Sequence, residues 1–154
     1  MITIIWGVFG TYIVDDLPEG EHYNSTYFAE HVLRPLAGKK DKIWPMRKNH
    51  KIWIHLDNCK VHNSKHADEE IQLLGFKRAP HPPYSPDLVP SDFFLFGHVK
   101  RKLGGQSFKT REALFGAIIE KIDNIPYSIR WDVFNEWKHR CHWVYKHNGE
   151  YFHK

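Results

Sequence analysis

The chain has 154 residues, enough for one globular core but tight for two. Its 42% hydrophobic and 26% charged residues argue against a disordered chain, and it contains no run of eighteen apolar residues that would read as a membrane-spanning helix. A net charge of +4 with neutral histidines, and a pI near 9.0, tilt the expected partner toward a polyanion.

The opening MITIIWGVFGTYIVDD lacks the basic n-region and small-residue cleavage site of a secretory signal. It reads as strand material that starts abruptly. Two cysteines, Cys59 and Cys141, do not make a disulfide framework, so a reduced, intracellular setting is the expectation. Ile2–Phe9 and Thr11–Val14 read as two antiparallel strands around a tight turn at Phe9–Gly10, and Leu17–Gly20 (LPEG) reads as a turn. Asn24 or Ser25 can cap a helix from about Thr26 to Leu36, whose apolar residues fall at helical spacing. Gly38–Lys42 reads as a charged loop, and Pro45 keeps the following stretch irregular.

Lys51–Leu56 (KIWIHL) alternates as a strand and stops at Asp57-Asn58. Asn63-Ser64 caps a helix to about Leu74, ended by Gly75, and Phe76–Ala79 is a short strand. Five prolines between Pro80 and Pro90 exclude a helix or a central strand there and predict a rigid, ordered loop anchored by Tyr84 and Leu88. Ser91 is expected to cap a helix over Asp92–Leu103. Thr110–Ile122 and Tyr127–Lys146 complete a helical C-terminal third. Strands with interposed helices indicate an α/β sheet layered by helices, in a single domain over 1–154.

Asp57 falls at the C-terminal tip of an apolar strand, where open α/β sheets keep their sites, although a lone Asp there equally makes an Asx-turn. Asp92, after Ser91, suits the positive end of a helix dipole. As a pair they suit a hard divalent cation, which takes oxygen ligands; two-metal phosphoryl transfer commonly needs a third carboxylate. His55, His62, His66 and Cys59 invite a zinc reading, but no second Cys pair exists and no glutamate lies within the His pair. These histidines therefore read as surface groups on a polar helix face. Lys100, Arg101 and Lys102 close the Asp92 helix, where cations complement the dipole and can also contact phosphates. Trp131, Trp137 and Trp143 read as core or dimer packing rather than base stacking.

The stretch HLDNCKVH (His55–His62), followed by PHPPYSPDLVPSDFFLF (Pro80–Phe96), resembles the catalytic domain of mariner-type transposases, in the DDE/D superfamily with a ribonuclease H-like fold. The family pattern, H-x-D-N-x-x-x-H and then P-P-Y-S-P-D-L-x-P-x-[DE], is met by Asp57, Asn58, His62, Pro83, Tyr84, Ser85, Pro86, Asp87 and Asp92. Thirty-four residues separate Asp57 from Asp92, the mariner spacing. The resemblance implies a ribonuclease H-like mixed sheet flanked by helices. It also implies that Asp57 and Asp92 are the second and third catalytic, metal-binding carboxylates. The implied chemistry is DNA cleavage and strand transfer with two Mg2+ (or Mn2+) ions. The implied partner is DNA, at transposon ends and target. A homodimer is compatible with the resemblance, no membrane partner is expected, and the setting is nuclear if the source is eukaryotic. The family's first Asp and first strand lie upstream of the matched segment, so the domain reads as incomplete at its N-terminus and little cleavage is expected from these residues alone. A non-enzymatic nucleic-acid-binding module derived from a transposase is the competing reading.

Overall fold

The computed structural model describes residues 1–47 and 50–153. The chain divides into two compact units, one formed by 1–5 and 12–83, the other by 6–11 and 84–154. Strands β1 (Ile2–Gly7) and β2 (Gly10–Asp16) form a hydrogen-bonded hairpin. Its turn is Val8–Phe9, one residue earlier than Phe9–Gly10, because Gly10 takes up a positive φ of 122° as the first residue of β2.

In the first unit, helix α1 covers 25–38 as an α-turn at Ser25–Phe28, a π-helical turn at Ala29–Leu33 and α-helix again at Arg34–Gly38. Asn24 caps it, its side-chain oxygen accepting from the Tyr27 amide at 2.9 Å. The expected loop at Gly38–Lys42 instead contains a one-turn helix, α2 (Lys40–Ile43). The Lys39 and Lys40 ammonium groups donate to the carbonyls of Tyr12 and Gly75, and Ile43 and Trp44 pack on the core, which holds the turn closed.

Strand β3 is limited to Ile52–Ile54, shorter than the sequence pattern, because its parallel partner β4 (Phe76–Arg78) offers three residues in register from Ile52↔Phe76 to Ile54↔Arg78. Among the described residues the strands thus form two two-stranded sheets rather than one mixed sheet. Between β3 and β4, helix α3 (Lys65–Leu73) makes the crossover that a parallel pair requires. Ser64 caps it by accepting from the Ala67 amide, and Gly75, at φ 74°, ends it in the left-handed conformation. The core joins Phe28, Val32 and Leu33 of α1 to Ile52 and Ile54 of β3, Ile71 of α3 and Phe76 of β4. At its rim, Arg34 grips the buried Glu70 through two hydrogen bonds of 3.2 and 2.9 Å.

In the second unit, helix α4 covers 91–103, opening as a π-helical turn, Ser91–Leu95, and continuing as α-helix Phe96–Leu103. Ser91 is the first helical residue and not the cap: its hydroxyl accepts from the Trp6 indole at 3.0 Å, and Pro90 holds the N-cap position. Helix α5 (Arg111–Asp123) is capped by Thr110, and α6 spans Tyr127–Lys146. A turn of 3-10 helix, Pro86–Leu88, packs on α6. There Arg140 lies buried, 4.0 Å from the Phe93 ring centre and 4.8 Å from that of Phe152, and it donates to the Asp87 carbonyl and to Glu136. Leu88 is buried as expected, but Tyr84 is no anchor: it is 98% exposed, with a φ of 54°. The three tryptophans of α6 share no face, since six residues advance a helix by about 600°. Trp131 is half exposed, Trp137 meets Phe134 edge-on, and Trp143 stacks on His147 at 3.9 Å.

Two stability predictions follow from these contacts. Glu70→Gln is expected to lower the unfolding free energy at neutral pH by about 1–3 kcal/mol, read by urea denaturation. Its hydrogen bonds with Arg34 hold the Glu70 carboxyl below its ordinary pKa. That contribution is therefore present above the unfolded-state value and lost as pH falls through the folded one, so parent and variant should converge in acid. Leu88→Ala should cost about 2–5 kcal/mol, whereas Tyr84→Gly, which removes an exposed ring and relieves the positive φ, should leave the melting temperature unchanged or slightly raised.

Candidate active site and metal-binding turn

Asp57 lies three residues past the end of β3, which stops at Ile54 and not at Asp57 as the sequence pattern suggests, on a turn whose shape is set by its own contacts. Its Oδ1 accepts from the Cys59 amide at 3.2 Å, closing an Asx-turn, and meets His62 Nδ1 at 2.6 Å. Its side chain is 60% exposed, and Oδ2 takes part in neither contact. Burial on its own would raise the pKa of this carboxyl, but the hydrogen bonds from Cys59 and His62, with the charge on His62, outweigh it and bring the pKa below its ordinary value. Asp57 is therefore an ionised carboxylate presented to solvent on the turn that follows β3.

The neighbouring motif residues hold this turn. Asn58 donates through its side-chain amide to the carbonyls of His81 and Pro82, tying the turn to the proline-rich segment. His62 is not on a helix and not a surface group, in contrast to the sequence expectation. It sits in the turn before α3 with its side chain 13% exposed, its ring 4.5 Å from Phe28 and its Nε2 3.1 Å from the Tyr23 hydroxyl. The apolar residues of α1 form the wall of its seat, and nothing in the spacing of His62 and His66 indicates that. His55 packs edge-on against His81 at 4.9 Å, and burial, followed by the nearby His81, pushes its pKa down to about 4. Burial and the adjacent Asp57 raise that of the Cys59 thiol.

Arg78 is the group that sequence reasoning missed. From β4 it donates to Asn63 Oδ1 at 2.7 Å and to the His62 carbonyl, and pairs with Asp68 at 3.0 Å. An arginine at the end of a short strand carries no signal of its own; only the parallel register places it under the turn.

In the second unit, Asp92 is exposed in the first turn of α4, as the sequence predicts. It lines a cavity of about 370 Å3 together with Pro86, Phe93, Arg140 and Phe152. Lys100, Arg101 and Lys102 occupy the last turn of α4, all exposed. Of the other motif residues in this unit, Ser85 and Pro86 lead into the short 3-10 turn, and Asp87 is buried, its Oδ2 accepting from the Phe152 amide at 3.0 Å. Asp87 thus anchors the C-terminal segment. Pro83 ends the first unit in an exposed position. Asp15, the other carboxylate near the start of the chain that could complete a metal site, accepts from the Tyr27 hydroxyl at 3.0 Å.

No protein-family model matches the chain. It is 28% identical over 154 residues, 99% of its length, to the human histone-lysine N-methyltransferase SETMAR. It is also 28% identical over 117 residues, 74% of its length, to the mariner Mos1 transposase of Drosophila mauritiana. The solved Mos1 transposase catalytic domain with raltegravir and Mn superposes with a TM-score of 0.82 over 99% of this chain and 77% of that one, at 23% identity. The chain has the mariner transposase catalytic fold. It spans 22% of SETMAR and 33% of the Mos1 transposase. The ribonuclease H-like class implied by the sequence motifs is thereby the observed one. Among the described residues no helix is long and apolar enough to cross a membrane.

The donor chemistry at the mariner-fold site suits a hard cation at Asp57, through an ionised, solvent-facing carboxylate. Arg78→Ala is expected to lower stability by about 1–3 kcal/mol and to speed amide hydrogen exchange selectively from Cys59 to Ser64. Unchanged exchange in that turn would show that Arg78 does not hold it.

Proposed function

We propose that the chain is the catalytic domain of a transposase-like enzyme that cleaves and transfers DNA strands. In this reading Asp57 and Asp92 hold Mg2+ or Mn2+, and Lys100, Arg101 and Lys102 contact the phosphate backbone. The observation that carries the reading is the ionised Asp57 carboxylate, presented on the turn after β3 by an Asx-turn and His62 within a fold like that of the Mos1 transposase catalytic domain. The Mos1 catalytic domain of similar fold was solved with Mn, which supports a divalent ion here.

Each side chain has a definite task in this reading. Asp57 offers Oδ2 to the cation while Oδ1 stays tethered, so the carboxylate enters the site already oriented. Asp92 supplies a second oxygen ligand from the first turn of α4. Two ions, when bound, would activate the attacking oxygen and stabilise the leaving one in an in-line displacement. The basic last turn of α4 would fix the DNA by its phosphates, without reading sequence.

The binding half of the reading is tested by measuring affinity for duplex DNA against salt. The affinity should fall steeply as salt rises. Replacing Lys100, Arg101 and Lys102 together with Ala should lower the slope of log K against log salt by about 1 for each phosphate that these cations neutralise. For the catalytic half, the assay uses a longer protein that carries a strand ending in Asp ahead of these residues. Mg2+-dependent nicking of supercoiled plasmid should then appear, and Asp57→Asn or Asp92→Asn should each reduce it by more than about a hundredfold. DNA binding with no nicking in any of these proteins would favour the non-enzymatic module. Nicking that survives both substitutions would overturn the assignment of the two carboxylates.

A further inference from the structure

The turn after β3 gathers a second kind of chemistry that the nuclease reading leaves unused. Among the described residues, Asp57, Cys59 and His62 each bring a ligand atom into one group, a carboxylate oxygen, a thiol sulfur and a ring nitrogen, all within 4.8 Å of one another. We propose that these three side chains form a binding site for a borderline-soft divalent transition-metal ion, zinc foremost, with the fourth coordination position open to solvent.

The donor set decides the metal. Mg2+ and Ca2+ take oxygen ligands, whereas a thiolate and an imidazole nitrogen select zinc and its neighbours. One sulfur, one nitrogen and one oxygen make three protein ligands, the number that zinc sites with an open position commonly use. Zinc-to-ligand bonds of about 2.0–2.3 Å put tetrahedral ligand atoms roughly 3.3–3.8 Å apart. From separations of at most 4.8 Å the atoms therefore need to close by up to about 1.5 Å, and Asp57 and His62, now 2.6 Å apart, to part by about 1 Å. The exposed Asp57 side chain can make that adjustment by rotation.

The turn is also built as a metal ligand's surroundings usually are. A metal-bound histidine normally has its far nitrogen held by a hydrogen-bonding partner, which sets the ring's orientation. Here the Tyr23 hydroxyl lies 3.1 Å from His62 Nε2, while Nδ1 faces Asp57. A tyrosine hydroxyl both donates and accepts, so it satisfies Nε2 whether or not that nitrogen carries the ring proton. Phe28 supports the ring, and Arg78 holds the His62 carbonyl and Asn63. On binding, Cys59 enters as the thiolate and His62 coordinates through Nδ1; the thiol proton and the proton that Nδ1 shares with Asp57 both leave to solvent, and Nε2 carries the ring proton toward Tyr23.

The site shares Asp57 with the proposed Mg2+ centre, so zinc on the turn would withdraw that carboxylate from it. This last consequence rests on the nuclease reading; zinc binding itself does not, and its test involves no DNA.

The test is a Co2+ titration of the whole chain, followed by displacement with Zn2+. A thiolate-to-cobalt charge-transfer band in the near ultraviolet, with intense visible bands of tetrahedral Co2+, is expected; excess Mg2+ should leave both unchanged and Zn2+ should abolish them. Cys59→Ala should remove the charge-transfer band and weaken zinc binding by at least about tenfold, and His62→Gln should weaken it by a similar factor. Cys141→Ser, altering the other cysteine, should keep the band. Because His62 packs against the core, Tyr23→Phe serves as a second variant: the ring keeps its seat, and affinity should fall by about tenfold through removal of the outer hydrogen bond. Thermal melts of the metal-free variants establish that each is folded. Absence of the charge-transfer band in the parent chain, or undiminished zinc affinity in folded Cys59→Ala, would overturn the proposal.

Discussion

The Arg78 guanidinium is the point on which the candidate site hangs. It reaches from β4 to Asn63, to the His62 carbonyl and to Asp68, and so joins the strand, the turn and the first part of α3. A short turn with an exposed carboxylate has little apolar surface to hold it, here Val61 and the ring of His62. Its order comes from hydrogen bonds to a rigid neighbour. The parallel pairing of β3 and β4 provides that neighbour, because the register that sets Ile54 beside Arg78 also brings the arginine beneath the chain leaving β3.

The His62–Asp57 contact then divides the labour of one carboxylate. Oδ1 is committed to the turn through Cys59 and His62. Oδ2 stands outside those contacts, on a side chain largely in water. Such a carboxylate stays ionised and oriented at little cost, which a metal ligand requires. The same contact brings a thiol and an imidazole within reach of one ion.

In the second unit the buried polar groups hold the C-terminal segment in place. Arg140 lies between Phe93 and Phe152 and satisfies the Asp87 carbonyl, while the Asp87 carboxylate receives the Phe152 amide. The C-terminal segment is held on α6 by this group of contacts. Asp87, five residues before Asp92 in the same motif, lines the same cavity as Asp92 and is tied through its Oδ2 to the C-terminal segment.

Much was legible in the sequence because it depends on neighbours along the chain. The caps at Asn24, Ser64 and Thr110, the end of α3 at Gly75 and the whole span of α6 follow from local hydrogen bonding and helical spacing. Asp92 in a first helical turn follows likewise, whereas Asp57 lies three residues beyond the end of β3 and not at its tip; the motif around them pointed to the mariner fold that the comparisons show. What depended on distant residues was out of reach. The length of β3 was decided by the three residues β4 could pair, the role of Ser91 by an indole 85 positions away, and the seat of His62 by Phe28 and Tyr23 on or beside α1. Tyr84 was expected inside and lies outside, because side-chain burial follows the path of the backbone and not hydrophobicity alone. Local rules act within a few residues, where the chain's own geometry fixes who meets whom. Register and burial arise only when separate segments pack, and those decided which side chains surround Asp57.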